Sequence, residues 1–244
     1  PMEYWGLSDT GKVRAQNQDA FRIEELDRHT VLAVVCDGMG GAKSGNIASR
    51  LAIDVFTEEV RCSYKSSMSQ EQVEQLLQNA VKLANFTVYD QARQFADFAG
   101  MGTTLVAALI SGKNATIVNV GDSRCYHITH SDIRRITVDH SLVQMMVDRG
   151  EIAPEEARDY PGRNYITRAV GTEPTVESDV FAIRLERGDA MLLSSDGLHN
   201  EVDDQEILFE VVHGVNNDNC CKRLFDIADK RGSPDNVTCV LVMV

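Results

Sequence analysis

Four aspartates stand where an apolar run meets a turn. "TVLAVVCDGMGG" drives Val31–Cys36 into Asp37, and "ATIVNVGDSR" brings Asp122 just past a second run. "AMLLSSDGL" does the same for Asp196, and "RGSPDNVTCVLVMV" sets Asp235 just before a fourth. Short apolar runs bounded by turn residues read as buried strands, and side chains at strand ends keep their geometry better than those on free loops. Singly, each Asp-Gly or Asp-Asn is an ordinary turn former. Jointly, four carboxylates meeting at one edge would raise one another's pKa unless a cation neutralised them.

Ligand chemistry selects the cation. Carboxylates, carbonyls and water suit Mg²⁺ or Mn²⁺, whereas zinc would want His or Cys at recognisable spacing, and the six histidines are scattered. Asp37 is the candidate bridging ligand, and Gly38, Gly40 and Gly41 would let backbone and substrate approach closely. A phosphate site also needs a fixed positive fork, and "VRAQNQDAF" offers Arg14, followed by Gln18 and Asp19. Taken alone, such an arginine is more often a surface salt-bridge residue.

The elements that must position these groups follow from periodicity. Strands are expected at Thr30–Cys36, Thr103–Ile110, Ala115–Val120, Arg124–Ile128, Val180–Leu185, Ala190–Ser194 and Val237–Val244. Ser111–Asn114 and Gly121–Ser123 leave no room for a crossover helix, so the middle of the chain is expected to be an antiparallel meander. From Ser44, the residues Ile47, Ala48, Leu51, Ala52, Val55, Phe56 and Val60 fall on one helical face. A second helix opens with Ser69 and Gln72 in capping-box spacing and buries Val73, Leu76, Leu77, Ala80 and Ala84. Further helices are expected at Ser141–Arg149, Asp203–Val212 and Asn219–Arg231, with Gly150 and Gly232 as C-caps. One-faced helices must cover sheets, which predicts packed antiparallel sheets with helices outside. Glu151–Asp179, with Pro154, Pro161, Gly162, Gly171 and Pro174, reads as a mobile excursion over the surface.

Composition bounds the rest. A chain of 244 residues that is 43% hydrophobic can pack one large domain, expected over residues 1–244. No run approaches the roughly 18 apolar residues of a membrane span, which predicts a cytoplasmic protein; Pro1 precedes Met2, the expected native start. Six cysteines without C-x-x-C spacing read as reduced packing residues. A net charge of -13 argues against nucleic acid or an anionic membrane as partner.

The segments "VRAQNQDAF", "VVCDGMGG", "GMGTTLVAALI", "NVGDSR", "VDHSL", "AVGT", "LLSSDGL" and "SPDNVT" together resemble the metal-dependent type 2C protein phosphatases, in their compact bacterial branch. They occur in family order across nearly the whole chain. The resemblance implies an α+β fold, a four-layer αββα sandwich of two antiparallel sheets flanked by helices, with residues 151–179 as a flap that influences substrate choice. It implies that Asp37 bridges two Mn²⁺ or Mg²⁺ ions, Gly38 lends its carbonyl, Asp196 and Asp235 complete the first site, and Asp122 with Asp196 holds a third ion. Arg14 would clamp the phosphoryl group, and Gln18 and Asp19 would order ion-bound water. The implied reaction is hydrolysis of phosphoserine and phosphothreonine by direct attack of a bridging water or hydroxide, in a monomer that opposes a Ser/Thr kinase. Met39 stands where many eukaryotic members have His, and Ala42 where some bacterial relatives do. The expected proton donor is therefore water at the Asp122 site, while His140 and His199 are expected to be structural.

Other readings explain less. "GDS" at Gly121–Ser123 and the Asp196/His199 pair imitate GDS-type serine esterases, but leave Asp37, Asp235 and Arg14 without roles. A P-loop at "DGMGGAKSG" would need glycine at Asp37 and Ala42. A catalytically inactive phosphoprotein-binding module should have lost ligands, and here all four aspartates and Arg14 are present.

Overall fold

The computed structural model describes residues 1–244, apart from the side chains of Ala42 and Lys43. The expected departure at Ala42 lies outside the described residues. The chain opens with β1 (Glu3–Asp9), β2 (Asp19–Asp27) and β3 (Thr30–Met39), then two long helices, α1 (Gly41–Ser63) and α2 (Gln70–Gln94). β4 (Gly102–Thr103), β5 (Leu105–Ser111), β6 (Asn114–Val120), β7 (Arg124–Ile128) and β8 (Ile133–Arg135) follow, then α3 (Leu142–Asp148). After an irregular stretch come β9 (Asp179–Arg184), β10 (Ala190–Ser194), α4 (Asp196–His199), α5 (Asp204–His213), α6 (Cys220–Lys230) and β11 (Val237–Met243).

Two antiparallel sheets result. One runs β1-β11-β10-β7-β8 and the other β2-β3-β5-β6-β9, with β4 pairing the end of β3. Three apolar layers separate four structural ones. Ala33, Val35, Val106 and Ile117 of one sheet meet Cys125, Met191, Leu193 and Val240 of the other. The outer faces are covered by α1 and α2 on one side (Phe56, Leu77 and Val81 against Leu32 and Val34) and by α4–α6 on the other (Leu198, Ile207 and Leu224 against Leu192 and Leu241). Central strands are thus buried on both faces, which is why they read as continuous apolar runs and not as alternation.

The second helix begins as expected. Ser69 accepts from Gln72 N–H while the Gln72 side chain accepts from Ser69 N–H, and Val73, Leu76, Leu77, Ala80 and Ala84 are buried. Asp203 and Glu206 form the same reciprocal cap on α5.

The meander is corrected. Ser111–Asn114 is a hairpin turn, but Gly121–Ser123 carries the chain from β6 in one sheet to β7 in the other. Gly121 takes φ 109°, a left-handed value that suits glycine, and an added Cβ would sit 2.7 Å from Thr104 Cγ2. Three residues suffice for this step because the sheets are stacked face to face. The expected strand Thr103–Ile110 is also broken at Thr104, where β4 ends and β5 begins. β1, β2 and β8 lie outside the expected set. All three are edge strands with half-exposed residues and no long apolar run.

Candidate metal centre and phosphate cleft

Asp37 lies at the C-terminal end of β3, Asp122 and Asp196 just past the C-terminal ends of β6 and β10, and Asp235 just before the N-terminal end of β11. The antiparallel order brings these ends to one margin of the sandwich. There, a cleft of about 530 Å³ is lined by Arg14, Gln18, Asp37, Gly38, Met39, Asp122, Asp196, Asp235 and Asn236, with Asn164 and Ile166 above them.

Backbone packing fixes Asp37. Its N–H donates to Thr104 Oγ1 at 2.9 Å, its carbonyl accepts from Thr104 N–H at 2.9 Å, and the Thr104 and Ser123 hydroxyls pair at 2.7 Å. Gly38 is glycine for a steric reason: a Cβ there would lie 1.9 Å from the Gly45 carbonyl oxygen, so the first turns of α1 rest directly on β3. Gly40 and Gly41, at φ 117° and 45°, turn the strand into that helix.

Asp19 lies in register with Asp37 across β2 and β3. It is buried; Oδ2 accepts from Ser195 Oγ at 2.8 Å and Thr238 Oγ1 at 2.7 Å, while Oδ1 has no partner. Burial pushes the Asp19 carboxyl up to about 7. Burial also raises Asp37 well above the usual carboxylate range, with Asp19, Asp196 and Asp122 adding to the effect. Asp122 is raised by burial and then by Asp196 and Asp139, and Asp196 by burial and then by Asp235. Burial is the first cause in each case, and the neighbouring carboxylates add to it.

Arg14 bridges to Asp235, Nε to Oδ1, at 3.3 Å. Gln18 gives its Nε2 to the Gly41 carbonyl at 3.0 Å, and its own carbonyl accepts from Gly38 N–H at 3.0 Å. Among the described residues, no three His, Cys, Asp or Glu side chains are gathered as a ready-made metal-holding group. Within the cleft the Asp37 carboxyl lies against those of Asp19 and Asp196. The chemistry of the carboxylates fits a hard cation: all donors are oxygens, they repel one another, and Asp196 Oδ1 is buried without a partner.

His140 and His199 are both bonded into the fold. His140 Nδ1 accepts from Gly121 N–H at 2.9 Å and its Nε2 meets Asp179 Oδ2 at 2.8 Å, which latches the turn beside Asp122. His199 pairs with Ser194 Oγ at 2.9 Å; burial, then Arg124, Arg135 and Arg158, push its pKa well below the ordinary value. Ser123 is fully buried against Thr104 and is not paired with His199, so the esterase arrangement does not form.

Asn236 escaped the sequence reading. Its carboxamide holds three backbone groups of the Arg14 segment. Asn beside Asp235 in "SPDNVT" carried no periodic signal, and only the tertiary contact reveals it.

A four-layer sandwich with an acidic cleft at one margin of its stacked sheets defines the class. The family model described as "Protein phosphatase 2C" matches residues 11–232, and the chain belongs to that family. The serine/threonine phosphatase stp of Listeria innocua is 34% identical over 236 residues, covering 96% of this chain and 93% of that protein. PstP of Mycobacterium tuberculosis is 35% identical over 243 residues, and this chain spans 45% of its length. The crystal structure of Stp1 from Staphylococcus aureus superimposes with TM-score 0.93 at 40% identity, covering 100% of this chain and 95% of that one. A structure of the PstP catalytic domain in complex with two manganese ions superimposes with TM-score 0.83 at 32% identity, covering 99% and 97% of the two chains.

Proposed function

We propose that the chain is a metal-dependent protein serine/threonine phosphatase, a single catalytic domain over residues 1–244 that hydrolyses phosphoserine and phosphothreonine. The observation that carries this is the meeting of one arginine and four strand-end aspartates in one cleft. The family membership and the named phosphatase relatives support it.

Mn²⁺ or Mg²⁺, held by Asp37, the Gly38 carbonyl, Asp196 and Asp235, with a third ion on Asp122 and Asp196, would lower the pKa of water and offset phosphoryl charge. Arg14 clamps the phosphoryl oxygens, exchanging its bridge to Asp235 for a bidentate one to substrate. Asp19, immobilised through Oδ2, keeps Oδ1 as an acceptor that orients water in the cleft. Gln18 has its amide nitrogen committed to Gly41, which leaves Oε1 for the same task. Met39 lines the cleft but has no proton to donate, so the leaving oxygen takes its proton from water on the Asp122 side.

Residues 151–179 form the flap, and Asn164 and Ile166 carry it to the cleft. The substrates are phosphoproteins made by a cognate Ser/Thr kinase, met by a monomer in the cytoplasm. The test is turnover of p-nitrophenyl phosphate and a phosphothreonine peptide with Mn²⁺, Mg²⁺ or EDTA. Activity with either ion and none in EDTA is expected; full activity in excess EDTA would refute the reading.

A further inference from the structure

Arg14 lies on residues 10–18, a segment without helix or strand between β1 and β2, and its side chain is 57% exposed. A clamp on phosphoryl oxygens has to be aimed closely, since small misplacements are costly to rate. Local bonds run from Gly11 N–H to Asp9 Oδ1, from Asn17 Nδ2 to Ser8 Oγ and from Asp19 N–H to Asn17 Oδ1, and none of them involves Arg14. The segment is held by residues 233–236, the turn that leads into β11.

That hold is extensive. Lys12 N–H donates to the Ser233 carbonyl at 3.0 Å. Gly11, at φ 81°, approaches so closely that an added Cβ would lie 2.4 Å from the Asp235 carbonyl oxygen. Asn236 is 4% exposed, and its carboxamide is fully engaged with the Arg14 segment. Nδ2 donates to the carbonyls of Thr10 and Gln16, both at 2.9 Å, and Oδ1 accepts from Gln18 N–H at 3.0 Å. These bonds lie on both sides of Arg14 in the chain. The turn itself is strained: Ser233 has φ 39°, the sole positive value among the described non-glycine residues, and is fully buried. Such strain persists where surrounding contacts over-determine it.

A bland alternative makes Asn236 a turn former at the start of β11. A turn former would bond its own turn, yet all three side-chain bonds of Asn236 cross to residues 10–18.

We infer that Asn236 is the positioning residue for Arg14: its carboxamide, bonded to Thr10, Gln16 and Gln18, fixes the segment that presents the guanidinium to the phosphoryl group. The inference rests on the phosphatase reading above.

The test is a double-mutant cycle of Asn236→Ala with Arg14→Ala, each variant checked for folding by circular dichroism. The readouts are the KM for p-nitrophenyl phosphate, the Ki of inorganic phosphate and the Mn²⁺ activation constant. Asn236→Ala is expected to raise KM and Ki about tenfold with the Mn²⁺ constant unchanged, and to add less than about twofold in the Arg14→Ala background. The same tenfold factor in both backgrounds would overturn the assignment. So would a change confined to the Mn²⁺ constant, which would place the role of Asn236 on Asp235. Gly11→Ala disturbs the contact from the other side and is expected to reproduce the pattern. Should Asn236→Ala not fold, an unchanged phosphate Ki in Gly11→Ala would overturn the inference. A wild-type protein without Mn²⁺-dependent turnover would remove the phosphatase reading itself and this inference with it.

Discussion

The floor of the cleft and the segment above it are built by opposite means. Floor residues are fixed at strand ends between two sheets, as Asp37 is by reciprocal bonds to Thr104 and Asp19 by two hydroxyls. Over residues 151–178 the backbone has one 3-10 turn, Pro154–Asp159, and two isolated bridges, Thr103 with Val170 and Ser141 with Ile166. The difference divides labour. On the function proposed above, the carboxylates that act on every phosphoester would sit on the rigid part, and groups that meet the variable remainder of a protein substrate would sit on the irregular part.

Substitutions on the floor should therefore have the largest effects and spare no substrate. Asp37→Asn and Asp196→Asn are each expected to lower turnover of both p-nitrophenyl phosphate and phosphopeptide by about 10²–10³-fold or more, the scale of losing one preorganised electrostatic group. Loss with one substrate only would break the division. Arg14→Ala comes next, at about 10–100-fold in kcat/KM, because a charge-assisted hydrogen bond contributes about 1.5–3 kcal/mol. Its effect should also be common to both substrates, which a comparison of the two kcat/KM ratios checks.

How far the sequence discloses each region follows the same divide. The aspartates at the ends of buried strands, the Ser69/Gln72 cap and the outward helices were legible because each is a local pattern of residue types. The pairing of Asp19 with Asp37 was not, because β2 is an edge strand whose residues are mostly half-buried, without a run to mark its register. Gly121–Ser123 looked like a hairpin because chain length alone cannot distinguish a turn within one sheet from a step between two stacked sheets. Asn236 acts across the length of the chain and leaves no trace in spacing. Residue chemistry already suggested Arg14 as a phosphate fork and Asp235 as a carboxylate ligand, whereas their 3.3 Å bridge needed the fold.

Burial of like charges gives a third, smaller effect that belongs to the floor alone. Asp19, raised to about 7, and Asp37, Asp122 and Asp196, raised as well, bind protons more tightly folded than unfolded. Where the folded state holds more protons, stability falls as pH rises. That contribution is fully present below the unfolded carboxylate pKa of about 4 and is lost as pH climbs through about 7. In EDTA, the melting temperature should fall across this window, and saturating Mn²⁺ should flatten the slope. A melting temperature that climbs from about pH 4 to 7 in EDTA would mean that the carboxylates are solvated, and that the floor differs from the flap less than the packing indicates.

The smallest effect should come from the flap and should be selective. Asn85 on α2 fastens its second half: Oδ1 accepts from Gly171 N–H at 2.6 Å, and Nδ2 donates to the carbonyls of Glu173 and Pro174 at 3.0 and 3.3 Å. Gly171 packs against Val88 so tightly that a Cβ would lie 2.2 Å from Val88 Cγ1. The excursion is thus held firmly along that stretch, beside the positions where Asn164 and Ile166 enter the cleft. Asn85→Ala removes three bonds, none of them to a carboxylate of the floor. It is expected to leave p-nitrophenyl phosphate turnover within about twofold while lowering phosphopeptide kcat/KM several-fold, the scale of about 1 kcal/mol. The small ester touches only the floor, whereas the peptide must also pass the flap. Equal losses with both substrates would show that the two regions act as one rigid unit, and the division of labour would then have to be abandoned.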